Sequence, residues 1–212
     1  MVEKKIKLND AYSLKTPEDS IKLYKKWAQT YDKDFALNNN YLSPKKISDY
    51  FNKYSKNTDT PILDVGAGTG LVGECLYKTG NQNIIGIDIS GGMLKQAKLK
   101  KCYFSLIEAD VTKKIPLKAN SIGAVVSAGT FTHGHVGPNT FDELLRITKP
   151  GGLFVLSINS KVFIKEGFQE KFIKIKKYIT APVFKEFQAH GKNKNKKYDA
   201  IKIFASIFRK NH

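Results

Sequence analysis

Ile62-Leu63-Asp64-Val65-Gly66-Ala67-Gly68-Thr69-Gly70-Leu71-Val72-Gly73 decides the architecture. A short run, apolar except for Asp64, leads into glycines at alternate positions, and a helical pattern follows without a spacer as far as Lys78. The pattern predicts a buried strand, a tight turn and a helix over Thr69 to Lys78 that Gly80 stops. In open α/β sheets that junction is where ligands bind. Glycine suits it because a backbone that turns tightly against a ligand leaves no room for Cβ.

Downstream, the apolar runs Ile84 to Ile87, Tyr103 to Ile107, Ile122 to Val126 and Leu153 to Ile158 read as strands. Between them lie helical patterns, Gly91 to Lys100 capped by Ser90 and Asn139 to Thr148 halted before Pro150. Such alternation predicts crossover units and an α/β, Rossmann-like, mostly parallel sheet. After Asn159 one helix carries Phe163, Phe168, Phe172 and Ile175, and the runs Pro182 to Ala189 and Tyr198 to Arg209 read as an antiparallel hairpin on the sheet edge.

Upstream, Thr16-Pro17-Glu18-Asp19 combines a capping residue, a proline at the first helical position and acids in the first turn. Ile21, Tyr24, Ala28 and Tyr31 share a face of that helix. A second helix opens at Ser43-Pro44, with Ile47, Tyr50, Phe51 and Tyr54 as its apolar stripe. Polar, asparagine-rich residues 31–41 separate the two. The expected organisation is a single domain, 1–212, with an N-terminal helical cap over 1–58 and a core over 61–212.

At 212 residues the chain can bury a sizeable core, and no stretch approaches the roughly 18 consecutive apolar residues of a membrane span. Two cysteines, Cys75 and Cys102, provide neither a disulfide framework nor a zinc-ligand spacing. A cytoplasmic, soluble protein with no membrane partner and no metal is expected, as a monomer or homodimer. The net charge of +17 raises nucleic acid as a partner. Arg146 and Arg209 are nevertheless the only arginines, and planar recognition of phosphates and bases favours guanidinium. The densest lysine block, Lys192, Lys194, Lys196 and Lys197, reads as an exposed loop, and a small-molecule acceptor is expected in preference to nucleic acid.

Gly68-Thr69-Gly70-Leu71-Val72-Gly73 also satisfies the dinucleotide fingerprint, but only when shifted two residues into the loop. Asp64, at the strand's end, would repel a pyrophosphate and suits an ammonium group. Asp88 closes Ile85-Gly86-Ile87-Asp88 about 20 residues past the turn, the spacing that sets a carboxylate over a ribose. Asp110, in Glu108-Ala109-Asp110-Val111, is placed to pair with an adenine amino group. Three acids complement a cationic nucleoside.

Ile62 to Gly70, Asp88, Asp110 and Lys149-Pro150-Gly151-Gly152 together resemble the successive motifs of class I S-adenosylmethionine-dependent methyltransferases. The resemblance implies a seven-stranded sheet with a reversed final hairpin and S-adenosyl-L-methionine as cofactor. It implies a cofactor site of Tyr31, Asp64, Gly66, Ala67, Gly68, Thr69, Gly70, Asp88, Ile89, Met93, Asp110, Val111 and Ser127, with Met93 beside the adenine. Tyr24-x-x-Trp27-Ala28-x-x-Tyr31-Asp32 resembles the N-terminal helix that covers the cofactor in small-molecule members.

Ala124 to His135 leaves the fourth strand as a long polar loop over the crevice. It contains neither an Asp/Asn-Pro-Pro-aromatic sequence nor a Pro-Cys nucleophile, which argues against methylation of nucleic-acid bases. A hydroxyl or protonated amine acceptor needs a base, and His133 and His135 are the candidates, at most one of them facing substrate. Tyr24, Trp27 and Phe131 are expected to line an acceptor pocket. His190 and His212 are expected at the surface. An RNA methyltransferase, a non-catalytic cofactor-binding protein and an NAD-dependent oxidoreductase stay open as alternatives.

Overall fold

The computed structural model describes residues 6, 10–11, 14, 16–192 and 201–211. Its strands are β1 (Ile62–Val65), β2 (Ile84–Asp88), β3 (Ser105–Glu108), β4 (Ile122–Phe131), β5 (Thr148–Asn159), β6 (Val183–Gln188) and β7 (Lys202–Arg209). They form one sheet in the order β3-β2-β1-β4-β5-β7-β6. β1 to β5 pair in parallel, whereas β7 is antiparallel to both its neighbours and so runs against the other six strands. The expected closing hairpin is present, with β7 inserted between β5 and β6. Strand order reverses between β1 and β4, which opens a crevice at their carboxyl ends.

The period-2 pattern of the strands builds two cores. Leu63, Val65 and Val125 face one side with Phe141, Leu144 and Phe168; Ile62, Ala124 and Val126 face the other with Ile47, Phe51 and Leu76. On the first side lie α5 (Thr140–Ile147), α6 (Ser160–Lys165) and α7 (Phe168–Ile175), and on the second α2 (Ser43–Tyr54) and α3 (Leu71–Lys78). The single helix expected after Asn159 is thus two, because Gly167 adopts φ +80° and breaks it between α6 and α7. α4 (Gly91–Leu99) packs on β2 and β3, its first turn capped by the Ser90 hydroxyl, which accepts from the Met93 amide.

α1 (Pro17–Trp27) begins where the sequence predicts it, with Thr16 and Asp19 exchanging side-chain and backbone hydrogen bonds in a capping box. The first half of the polar segment after it is wound into a π-helix, Asp32–Leu37, and the asparagines 38–40 follow it as a turn. α2 buries Ile47 and Phe51 in the sheet's own core while its first residues, Ser43 and Pro44, border the cavity beside α1 and the π-helix. The linker before β1 is tied down, since buried Asp59 pairs with Arg209 through both carboxylate oxygens, at 2.8 and 2.9 Å. No helix among the described residues is long and apolar enough to cross a membrane.

Candidate functional site

A cavity of about 220 Å³ opens where β1 and β4 diverge, between the glycine turn, the loop after β4, α1 and the π-helix. Gly66 adopts φ +68°, and a Cβ there would collide with the Thr130 side chain, whose hydroxyl donates to the Val65 carbonyl at 2.9 Å. Gly68, at φ +54°, differs: its Cβ would meet nothing closer than 3.9 Å and would stand in the space a ligand needs.

Asp88 sits at the carboxyl end of β2 with Gly68 N–H donating to its Oδ2 at 2.9 Å and Ser90 N–H to its Oδ1 at 2.8 Å. Each oxygen keeps a lone pair for a ribose hydroxyl. Burial raises the carboxyl's pKa, and the two amides oppose that rise. Asp110 is fixed by the Thr112 amide and hydroxyl, at 2.9 and 2.6 Å to Oδ1. Ala67, Thr69, Ile89, Met93, Val111 and Tyr31 join these residues on the cavity wall. This set fits the nucleoside that the sequence implies: a carboxylate pinned for a diol, a second acid, a thioether, and a bare backbone at Gly68.

Three expected cofactor residues lie elsewhere. Asp64 is wholly buried beneath the turn, where Tyr103 donates to its Oδ2 at 2.7 Å, and it does not border the cavity. Gly70 packs against Tyr103 and Ala97, and the buried Ser127 hydroxyl donates to the Val65 carbonyl at 2.7 Å. These residues hold the turn from below. For Asp64 and Ser127 the reason is geometric, since alternate residues of a buried strand point into the layers on its two faces, whereas Gly70 caps α3.

On the acceptor side, Tyr24 lines the cavity, but Trp27 is 2% exposed and packs among Tyr31, Phe35 and Tyr24 inside the cap. The Phe131 ring is buried against Phe141 and Phe168 and backs the wall. The two loop histidines separate as their spacing predicts. His135 lines the cavity, whereas His133 faces outward, its Nδ1 3.0 Å from Glu166 Oε1. His190, expected at the surface, is 4% exposed, lines the cavity and packs edge-on against Phe35 and tilted against Tyr41. His212 and residues 193–200, which hold most of the lysine block, lie outside the described residues. No metal-holding cluster of His, Cys, Asp or Glu occurs among the described residues.

Sequence reasoning placed Asp32 in the covering motif without a role of its own, and it missed Asn159. The Asp32 carboxylate accepts from the Thr69 hydroxyl at 2.5 Å and from Lys100 Nζ at 2.6 Å, joining the π-helix to the glycine turn and to the end of α4. Asn159 ends β5, where its Oδ1 caps α6 by accepting from the Lys161 amide at 2.9 Å. Its position at a strand's carboxyl end was the available signal.

The sheet order is that of a Rossmann-like methyltransferase fold, and the chain contains a methyltransferase domain. Residues 63–156 match the methyltransferase domain family model. The chain is 31% identical over 158 residues to human methyltransferase-like protein 27, covering 73% of this chain and 64% of that protein. A demethylmenaquinone methyltransferase from Renibacterium salmoninarum is 34% identical over 96 residues, 45% of this chain and 40% of its own length. A shorter match, 38% over 66 residues, links 31% of this chain to 24% of an 18S rRNA guanine N7 methyltransferase of Saccharomyces cerevisiae. The chain therefore spans less than two thirds of the curated relatives it matches. A solved Methanococcus maripaludis structure, described as an S-adenosyl-L-methionine-dependent methyltransferase, superposes with a TM-score of 0.61. It shares 20% identity and covers 100% of this chain and 98% of its own.

Proposed function

We propose that this chain transfers a methyl group from S-adenosyl-L-methionine to a small-molecule acceptor held between the loop after β4 and the cap, working in one domain, in the cytoplasm, as a monomer or homodimer. The observation that carries the reading is the pinned Asp88 carboxylate beside the bare Gly68 backbone, in a cavity that continues beneath α1. When bound, the cofactor supplies an electrophilic methyl group on a sulfonium. The chain's own residues bind and orient: Asp88 takes the ribose, Asp110 and Met93 border the adenine, and the cap excludes water. In-line positioning of acceptor and methyl contributes ~7–11 kcal/mol to lowering the barrier.

Isothermal calorimetry with S-adenosylhomocysteine and with NADH tests the cofactor assignment. Asp88→Ala is expected to weaken S-adenosylhomocysteine binding at least tenfold with an unchanged circular dichroism spectrum, and unchanged affinity would reject the ribose role. A metabolite-library screen for S-adenosylhomocysteine release tests transfer itself. The second reading, an RNA acceptor, draws on the +17 charge and the rRNA-modifying relative. Against it stand the two arginines, both engaged within the chain: Arg146 with Glu143 and Arg209 with Asp59.

A further inference from the structure

One wall of the cavity is an unbroken row of rings. Tyr24 meets Tyr31 at 6.4 Å between ring centres, Tyr31 meets Phe35 at 5.0 Å, and Phe35 meets Tyr41 and His190 at 5.2 and 5.7 Å. All five line the cavity. Across from them, Asn159 has its Oδ1 committed to the Lys161 amide, which leaves its NH₂ group as the donor toward the cavity. Although the whole chain carries +17, the described residues lining this space include no lysine or arginine, and Asp88 and Asp110, both on the cofactor side, are the only formal charges. Among the described lining residues, an acceptor bearing phosphate or carboxylate finds no lysine or arginine, and an ammonium acceptor finds no carboxylate outside the cofactor's half.

At the end of the row the Tyr24 hydroxyl lies 2.7 Å from His135 Nε2, and His135 Nδ1 lies 2.7 Å from the His133 carbonyl. A carbonyl oxygen only accepts, so Nδ1 must carry a proton. A neutral ring then presents the Nε2 lone pair, and the Tyr24 hydroxyl donates to it. Tyr24 belongs to α1 and His135 to the loop after β4, so the pair joins the cap to the core.

Building on the methyl-transfer reading, we propose that Tyr24 and His135 form a proton relay that activates an uncharged, planar acceptor through its hydroxyl group, a phenol or enol. The acceptor's O–H bond breaks as its proton passes to the Tyr24 oxygen and Tyr24's own proton passes to His135 Nε2. The acceptor's electron pair forms the bond to the methyl carbon, and the pair of the broken C–S bond leaves with sulfur. A neutral hydroxyl compound, a sulfonium and a neutral imidazole become a methyl ether, a thioether and an imidazolium, so charge balances.

The test uses the full chain with labelled S-adenosylmethionine and three probes: catechol for the neutral hydroxyl class, benzylamine for amines and 4-hydroxybenzoate for anions. Catechol is expected to accept methyl at least tenfold faster than the other two. Faster transfer to either of them, or none to catechol, overturns the acceptor class. Tyr24→Phe is expected to lower kcat at least tenfold with KM within threefold, and His135→Asn to lower it further. Both should bind S-adenosylhomocysteine within twofold of wild type, which shows the fold and cofactor site intact. Nitrogen-15 spectra of labelled histidine supply a readout without turnover: His135 should show the Nδ1–H tautomer, with its Nε2 resonance displaced by Tyr24→Phe. An Nε2–H tautomer, or an unmoved resonance, overturns the relay. Failure of the wild-type chain to bind S-adenosylhomocysteine would instead overturn the cofactor assignment beneath it.

Discussion

Asp64 accepts from the Tyr103 hydroxyl at Oδ2 and is wholly shielded from solvent. Burial, aided by the Asp88 charge, pushes its pKa up to about 7, while the Tyr103 hydrogen bond opposes the rise. The folded state therefore holds this proton more tightly than the unfolded chain, whose carboxyl titrates near ~4. The contribution to stability is fully present below that value and is lost as pH rises through about 7. His135 acts in the opposite sense: burial lowers its pKa, so its neutral form costs nothing above about 6.5 and penalises the fold as pH falls below. Comparing Asp64→Asn with wild type cancels the histidine. Between pH 5 and 7 wild type should lose roughly 2–3 kcal/mol relative to the variant in urea titrations; parallel pH profiles would exclude the raised pKa. The placement of Asp88 and Asp110 on the cavity wall was legible in the sequence because strand-end position and spacing from the glycine turn fix it locally. The roles expected for Asp64 and His190 were not, because each depends on what distant segments pack against it.

Among elements, the seam between cap and core rests on Asp32. Its carboxylate gathers the Thr69 hydroxyl and Lys100, and Lys100 also reaches Glu74 of α3 at 3.3 Å. Asp32→Ala should release the π-helix from the turn, speeding S-adenosylhomocysteine dissociation about tenfold in stopped-flow measurements while leaving the melting temperature within a few degrees. An unchanged off-rate would show that the cap is held by its aromatic packing alone. The linker before β1 has a different anchor. Arg209 on β7 bonds Asp59 through two nitrogens and also donates to the Tyr54 and Gly151 carbonyls. Removing the guanidinium strands a buried carboxylate, so Arg209→Met should destabilise the fold by about 3–5 kcal/mol in chemical denaturation. Helix starts were readable from Thr16-Pro17 and Ser43-Pro44 because caps act within one turn. The π-helix, and the membership of α2 in the sheet's flank, answer to tertiary packing and left no local mark.

At the scale of the whole molecule, surface and cavity have opposite electrostatic character. Lysines dominate the sequence, while the described lining holds two carboxylates and no lysine or arginine. Polyanions should accordingly bind the exterior through counterion release. Fluorescence anisotropy with a labelled tRNA fragment is expected to show binding at ~20 mM salt that collapses by ~200 mM and does not compete with S-adenosylhomocysteine. Salt-resistant, sequence-selective binding would favour the RNA reading. The parallel core was visible in the alternation of apolar runs and helical patterns, and so was the closing pair of strands. That pair's threading was not, since periodicity carries no information about which edge a strand joins. The threading matters during synthesis. β6 emerges from the ribosome before β7, the strand that must separate it from β5. Until then both strands show open edges, the feature through which a half-made sheet pairs with neighbouring chains.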